Sequence, residues 1–143
     1  MIKKILTYGT FDLFHYGHYN LLKRAKLLGD YLIVGVSSDE LCLTKGKKTV
    51  LDVGKRVEIV SNLRFVDEVI VEYDMAQKVY DAEKYNAAIF CLGSDYRDVF
   101  PTMPEYKKLI DLGCSVIFLE RTPDISSSQL KSNLKKGEIF LQK

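Results

Sequence analysis

The sequence predicts an α/β fold, a parallel sheet of five strands covered by helices on both faces. Three observations carry that expectation. Short apolar runs alternate with stripes of helical period along the chain. The run Tyr31–Val36 is apolar almost throughout, as in a strand buried on both faces. Polar, chemically capable segments recur where strands should end, at 9–18, 93–97 and 121–128.

The elements follow in order. Ile2–Tyr8 reads as the first strand and runs into Gly9-Thr10-Phe11-Asp12. From about Gly17 to Leu28, Leu21, Ala25 and Leu28 fall at i, i+4 and i+7, and Gly29 stops the helix. Tyr31–Val36 is the second strand; Ser37 and Ser38 then offer a cap to a short helix ending near Leu43. A lysine loop, Thr44-Lys45-Gly46-Lys47-Lys48, separates it from a helix opened by Asp52, with Val53, Val57 and Val60 on one face. Phe65–Val71 is the third strand. Asp74 is placed to cap a helix with the stripe Met75, Val79 and Ala82. Ala88–Leu92 is the fourth strand, and Pro104 suits the first turn of a helix that ends at Gly113. Ser115–Leu119 is the fifth strand, and Ser126 is set to cap a last helix with Leu130 and Leu134 inward. The result is a three-layer, Rossmann-like architecture, in which ligands bind beyond the carboxyl ends of the strands.

Composition narrows the function classes. The 143 residues, 47% hydrophobic and without a Pro-, Gly- or Ser-rich linker, match one domain spanning residues 1–143. The 21 basic and 19 acidic residues leave a net charge of only +2, so bulk charge asks for neither nucleic acid nor a membrane surface. No run approaches the roughly 18 apolar residues that cross a bilayer, and Thr7, Tyr8 and Gly9 interrupt any secretory h-region. Cys42, Cys91 and Cys114 are odd in number and lack C-x-x-C spacing, which fits buried thiols in a reducing cytoplasm.

The strongest chemical signal is Thr10-Phe11-Asp12-Leu13-Phe14-His15-Tyr16-Gly17-His18. Both histidines of the chain fall in this stretch, three residues apart, after a strand and at the start of a helix. They share a face at a helix N-terminus, where free N–H groups and a partial positive charge suit a phosphate, and Gly17 lets it approach the backbone. Arg121-Thr122 and Ser126-Ser127-Ser128 read either as a helix cap or as a second phosphate clamp facing His18. The lysine loop is either solvated or closes on polyphosphate. Arg64 flanks the third strand, where an ion pair is the plain reading, and Asp95 follows Gly93 at the end of the fourth.

Gly9-Thr10-Phe11-Asp12 with His15-Tyr16-Gly17-His18 resembles the signature of the HxGH nucleotidyltransferase superfamily. Within it the chain most resembles the glycerol-3-phosphate cytidylyltransferases, from Met1 to about Lys135. Gly29-Asp30-Tyr31, Ser38-Asp39-Glu40, Arg64-Phe65-Val66-Asp67-Glu68-Val69 and Arg121-Thr122-x-x-Ile125-Ser126 carry the likeness. It departs from the family at Pro123-Asp124, in the longer 93–104 segment and at Met75, where a relative carries an aromatic.

The resemblance implies transfer of CMP from CTP to a small polyol phosphate, foremost sn-glycerol 3-phosphate. The products are pyrophosphate and CDP-glycerol, a precursor for cell-surface polymers. The alternative is a cytidylyl- or adenylyltransferase for another phosphorylated alcohol or sugar. A receiver-like binding module fits poorly, because the first strand ends in Tyr8-Gly9-Thr10 and not in an acidic cluster. The resemblance implies His15, His18, Lys47 and Arg121 as catalytic residues. It implies nucleotide contacts from Gly9, Thr10, Phe11, Gly17, Arg64, Asp95, Thr122, Ile125, Ser126, Ser127 and Ser128, and acceptor contacts from Asp12, Lys45 and Lys78. Mg²⁺ is expected to arrive with CTP, and the family implies a homodimer.

Overall fold

In the computed structural model the expected alternation of strands and helices runs through residues 1–122, the part of the chain that the structure describes. β1 (Lys4–Gly9) leads into α1 (Tyr16–Lys26), β2 (Tyr31–Ser37), the short α2 (Asp39–Thr44) and α3 (Val53–Ser61). Then come β3 (Glu68–Glu72), α4 (Gln77–Tyr85), β4 (Ile89–Gly93), two 3₁₀ turns at Ser94–Tyr96 and Phe100–Thr102, α5 (Pro104–Asp111) and β5 (Ser115–Leu119). The last predicted helix, with Ser126, Leu130 and Leu134, lies outside the described residues. No helix among those described is long and apolar enough to cross a membrane.

The sheet is all parallel in the order β3-β2-β1-β4-β5. Successive side chains on a strand face opposite ways, so each inner strand feeds two cores. Ile5, Leu32, Val34 and Ile89 pack with Leu22 and Ala25 of α1 and Val60 of α3. Leu6, Ile33, Phe90 and Leu92 face the other way, onto Ala82 of α4 and Leu109 of α5. Phe100, from the longer 93–104 segment, joins that second core and stacks on Phe90 at 5.4 Å. Because the chain steps outward from β1 to β3 and then returns to β4, the strand order reverses between β1 and β4. A crevice opens there, beyond Gly9 and Gly93, where such sheets bind ligands.

Apart from shifts of a residue or two at the ends of other elements, three features differ from the sequence reading, each for a local reason. β3 starts at Glu68, not Phe65, because Asp67 is held in the preceding turn by the Leu32 N–H at 2.7 Å and by Lys26 at 2.6 Å. α4 starts at Gln77. Asp74 accepts the Gln77 N–H at 3.0 Å from a turn ahead of the helix, which leaves Met75 outside it. In α1 it is Leu22, fully buried, that joins Ala25 in the core, while Leu21 turns toward the crevice.

The carboxyl ends of the strands are tied together by Arg56 of α3, which is 0% exposed. Its Nε donates to Leu51 O at 2.9 Å, and one terminal nitrogen donates to Thr10 O at 2.7 Å and Ser37 O at 2.8 Å. The other terminal nitrogen meets Asp39 Oδ1 at 2.6 Å. Loop, first strand, second strand and α2 therefore converge on one guanidinium. Asp39 also accepts the Val53 N–H at 3.2 Å, and Ser38 caps α2 through the Leu41 N–H at 3.1 Å, so Ser38-Asp39 is part of the frame. Arg56→Met should cost roughly 3–5 kcal/mol, because a carboxylate and three carbonyls lose their donor. That corresponds to a fall in Tm on the order of 10 °C. Arg56→Lys should recover only part of it, since an ammonium lacks the planar fork. Thermal melts of both variants check this, and wild-type Tm in either would remove the guanidinium from this role.

Candidate active site

A cleft of about 490 Å³ lies at the β1/β4 switch point, lined by residues that include Tyr8 to Asp12, His15, Gly17, His18, Lys47, Asp95, Arg121 and Thr122. It thus brings together most of the residues that the sequence singled out. A larger groove of about 610 Å³ beside β3 and α4, lined among others by Tyr73, Asp74 and Tyr80, holds none of the motif residues.

The approach to α1 is shaped by packing. Phe11 is only 3% exposed and has φ +55°, and its ring lies so close to Gly9 that a Cβ there would come within 2.7 Å of Phe11 Cζ. Glycine is therefore required at position 9, and Phe11 acts as a wall of the cleft. The next residue, Asp12, is 1% exposed, and its carboxylate accepts N–H groups of Val50 at 2.7 Å, Leu51 at 3.0 Å and Leu13 at 3.1 Å. Two of these donors end the lysine loop, so Asp12 anchors that loop to the histidine motif.

The two histidines cap the helix that carries them. His15 is the N-cap, and its Nδ1 accepts the Gly17 N–H at 3.0 Å; His18 Nδ1 accepts the His15 N–H at 3.2 Å. Imidazoles thus do the work that Ser and Glu do in a common capping box. A ring nitrogen that accepts from the backbone carries no proton, so in each ring the proton sits on Nε2. The rings stack at 3.8 Å between centroids. Burial, the neighbouring His15 and the charge of Arg121 push the His18 pKa down to about 3, against a small opposing pull from Asp12. Burial and Arg121 lower that of His15 as well. Both are therefore neutral donors at physiological pH. His15 Nε2 is buried and has no hydrogen-bond partner among the described residues. An orphaned donor of this kind is costly unless a ligand oxygen meets it.

Cations complete the cleft. Lys47 and Lys48 line one side, with the Lys47 N–H tied to Cys42 O at 2.9 Å. Arg121, at the end of β5, rests on Asp95 at 3.4 Å, with both side chains half in solvent. Asn20 of α1 donates to Thr122 at 3.2 Å, which joins the ends of α1 and β5. Among the described residues no group of three His, Cys, Asp or Glu is placed to hold a metal ion. The donor set is imidazole, amine and guanidinium, which suits phosphate oxygens.

Other predicted site residues sit elsewhere. Lys78 is 8% exposed and forms a buried ion pair with Glu72, and Lys45 lies at the C-terminal end of α2; neither lines the 490 Å³ cleft. Arg64 is exposed in the turn before β3, at the opposite end of the sheet. Ile125, Ser126, Ser127 and Ser128, with Pro123-Asp124, lie outside the described residues. The sequence reading missed Arg56 and Glu72, and gave no role to Tyr8, Leu21 and Tyr96, which also line the cleft. A charged residue on the apolar side of a helix was the available signal for Arg56.

Known proteins place this geometry. Residues 6–133 match the family model described as cytidylyltransferase-like. A glycerol-3-phosphate cytidylyltransferase of Bacillus spizizenii is 46% identical over 93% of this chain and 98% of that relative. One of Staphylococcus aureus is 41% identical over 93% of this chain and 96% of that relative. Among solved structures, a lipopolysaccharide core biosynthesis protein of Thermoplasma volcanium superposes with a TM-score of 0.68 at 29% identity, covering 85% of this chain and 98% of its own. With its model matched across both the histidine motif and the sheet, the chain belongs to the cytidylyltransferase-like family.

Proposed function

We propose that this chain is a glycerol-3-phosphate cytidylyltransferase, transferring CMP from CTP to the phosphate of sn-glycerol 3-phosphate with release of pyrophosphate. The relatives of matching length support the substrates. The observation that carries the chemistry is the buried, unpartnered Nε2 of His15 at the N-terminus of α1.

An oxygen of the acceptor phosphate attacks the α-phosphorus of CTP in line. The new P–O bond forms as the bond to the bridging α–β oxygen breaks, and that oxygen leaves with pyrophosphate. No covalent enzyme intermediate is needed. Both reactants are anions, so catalysis consists of alignment and charge neutralisation. His15 and His18 donate Nε2–H to phosphate oxygens, and their neutral state costs the site no proton when the nucleotide enters. Lys47 and Arg121 neutralise charge that grows on the leaving group. For Arg121 this means exchanging its exposed pair with Asp95, worth little in water, for a polyphosphate. Ser126, Ser127 and Ser128 extend the clamp after Thr122, by family resemblance. Mg²⁺ enters on the triphosphate as part of the substrate. Lys45 and Lys78 take the acceptor phosphate.

We further infer a cytoplasmic homodimer. The three cysteines are free and buried, which suits a reducing compartment, and β3 is a sheet edge flanked by the exposed Tyr73 and Tyr80.

The reaction is tested by pyrophosphate release with four nucleotides against a panel of polyol phosphates; CTP with glycerol 3-phosphate should be the best pair, and equal kcat/KM for ATP would move the chain to the adenylyltransferases. Lys45→Ala and Lys78→Ala should raise mainly the KM of the acceptor, whereas Arg121→Ala should weaken CTP and slow turnover. If the two lysine variants raise only the KM for CTP, the division of the site is wrong.

His18→Gln keeps a capping acceptor but replaces the ring's rigid Nε2–H donor with a flexible amide that does not hold cap and phosphate in one geometry, and should lower kcat by roughly 10²-fold. The same variant tests the neutral histidine. Unfolded chains take up a proton at His18 below its ordinary pKa of 6.5, while the folded protein resists until about pH 3. The unfolded state then binds more protons, so stability falls as pH drops through that window. Melts between pH 7 and 4.5 should show a shallower acid slope for His18→Gln than for wild type; parallel slopes would mean that His18 protonates freely in the folded state.

A further inference from the structure

Glu72, the last residue of β3, is a carboxylate only 1% exposed. Such a charge persists only where it is paired and hydrogen-bonded. Its Oε2 is ion-paired with Lys78 Nζ, and its Oε1 accepts from Ser37 Oγ at 3.2 Å, at the end of β2. Lys78 reaches back from the first turn of α4, and its ammonium lies 5.0 Å from the centroid of the Tyr8 ring, a cation–π contact. That ring is fixed in turn. It lies against Gly35, where a Cβ would come within 2.3 Å of Tyr8 Cδ2, and its hydroxyl donates to Asp81 Oδ2 at 2.6 Å. Asp81 also accepts from Gln77 Nε2 at 3.1 Å. Lys78 is thus seated from several sides, and Glu72 is its anchor.

Lys45 makes no ion pair with this carboxylate but lies within its electrostatic range, from another element. Its side chain is exposed, yet its ammonium end is shielded enough that burial lowers its pKa. Glu72 is the strongest charge acting against that fall, and Lys78 the strongest adding to it; Cys42 and Lys47 contribute less, in opposite directions. The groups around this cluster are therefore Cys42, Lys45 and Lys47 from α2 and its loop, Lys78 and Asp81 from α4, Met75 from the turn before it, Tyr8 from β1 and Ser37 from β2. An acceptor phosphate gains nothing from a carboxylate behind the lysines, since like charges repel. A shielded ammonium without a counter-charge is costly to keep, however, and a neutral amine does not hold a phosphate dianion.

We propose that Glu72 is a positioning residue of the acceptor subsite, the fixed counter-charge that seats Lys78 and offsets the charge of nearby Lys45 behind the acceptor phosphate. This rests on the assignment of those two lysines to the acceptor made under the proposed function.

The test is steady-state kinetics of the full chain with each substrate varied, from pH 6.5 to 9.5, with thermal melts alongside. Glu72→Gln should raise the acceptor KM by roughly tenfold, leave the KM for CTP within about twofold, and move the basic limb of acceptor kcat/KM down by about one pH unit or more. Glu72→Asp, which keeps the charge, should retain the wild-type limb. Because Glu72→Gln leaves Lys78 buried without its partner, Lys78→Met is also compared with Lys78→Met/Glu72→Gln, in which no unpaired ammonium remains at 78. The double variant should still show the lower limb, now through Lys45 alone; this comparison carries the test if the single variant does not fold. A limb that stays in place in every folded Glu72→Gln background, with only Tm reduced, overturns the proposal. So does an equal rise in both KM values. If Lys45→Ala and Lys78→Met leave the acceptor KM at its wild-type value, the assignment of the lysines fails first, and is recognised as that failure whatever the pH profile.

Discussion

The carboxyl edge of this sheet is organised by one buried guanidinium. Arg56 closes its donors on the carbonyls of Thr10, Ser37 and Leu51 and on the carboxylate of Asp39. Those carbonyls belong to chain segments that leave β1, leave β2 and enter α3, so their relative positions are fixed by one planar group. The histidine motif starts five residues after Thr10, and the lysine loop ends at Leu51. A site with its phosphate donors on different segments needs such a tie, because misplacement by an ångström costs more than the loss of one contact. Asp12 repeats the same logic with the opposite charge, gathering backbone N–H groups from the far end of the lysine loop.

The histidines show how local structure and chemistry share one set of bonds. Nδ1 of each ring caps the backbone, which fixes the tautomer and points the protonated nitrogen away from the helix. Stacking at 3.8 Å then makes a second positive charge costly, and Arg121 adds to that cost. Charge neutralisation is left to the lysines and the arginine, whose side chains are long and mostly solvated. The site thus divides fixed neutral donors, on a helix, from adaptable cations, on loops.

Much of this was legible in the sequence, and the reason is patterning. Tyr31–Val36 reads as a doubly buried strand because both of its faces are apolar, and the histidine motif stands out because it holds every imidazole of the chain. What escaped were pairings between segments. Arg56 lies beside Val57 on a helix whose other charges face water, and only the fold brings three carbonyls over it. Lys78 was marked by resemblance, but its partner Glu72 ends a strand on the far side of a turn. The start of β3 was misjudged because Phe65 and Val66 are apolar enough to extend a strand, yet they pack against the α1 and α3 core from a turn that Asp67 holds. Periodicity sees burial; it does not see which polar groups burial will pair.

The proposed nucleotide and acceptor halves of the site hold their cations differently, and the difference follows from exposure. On the nucleotide side the cations line an open cleft, water solvates them, and they need no permanent partner beyond the weak Asp95 contact. On the other side Lys78 is withdrawn from water, where an ammonium is stable only beside a carboxylate. A buried cation so paired offers a ligand less net charge but a defined position, since Tyr8, Glu72 and Met75 restrict its nitrogen. Tyr8 belongs to both halves, with one neighbour in the cleft and the other at Lys78. Its ring can lie there only because β2 carries glycine at position 35, directly beneath it. The absence of one side chain in the sheet thus lets an aromatic ring join the two ends of the site.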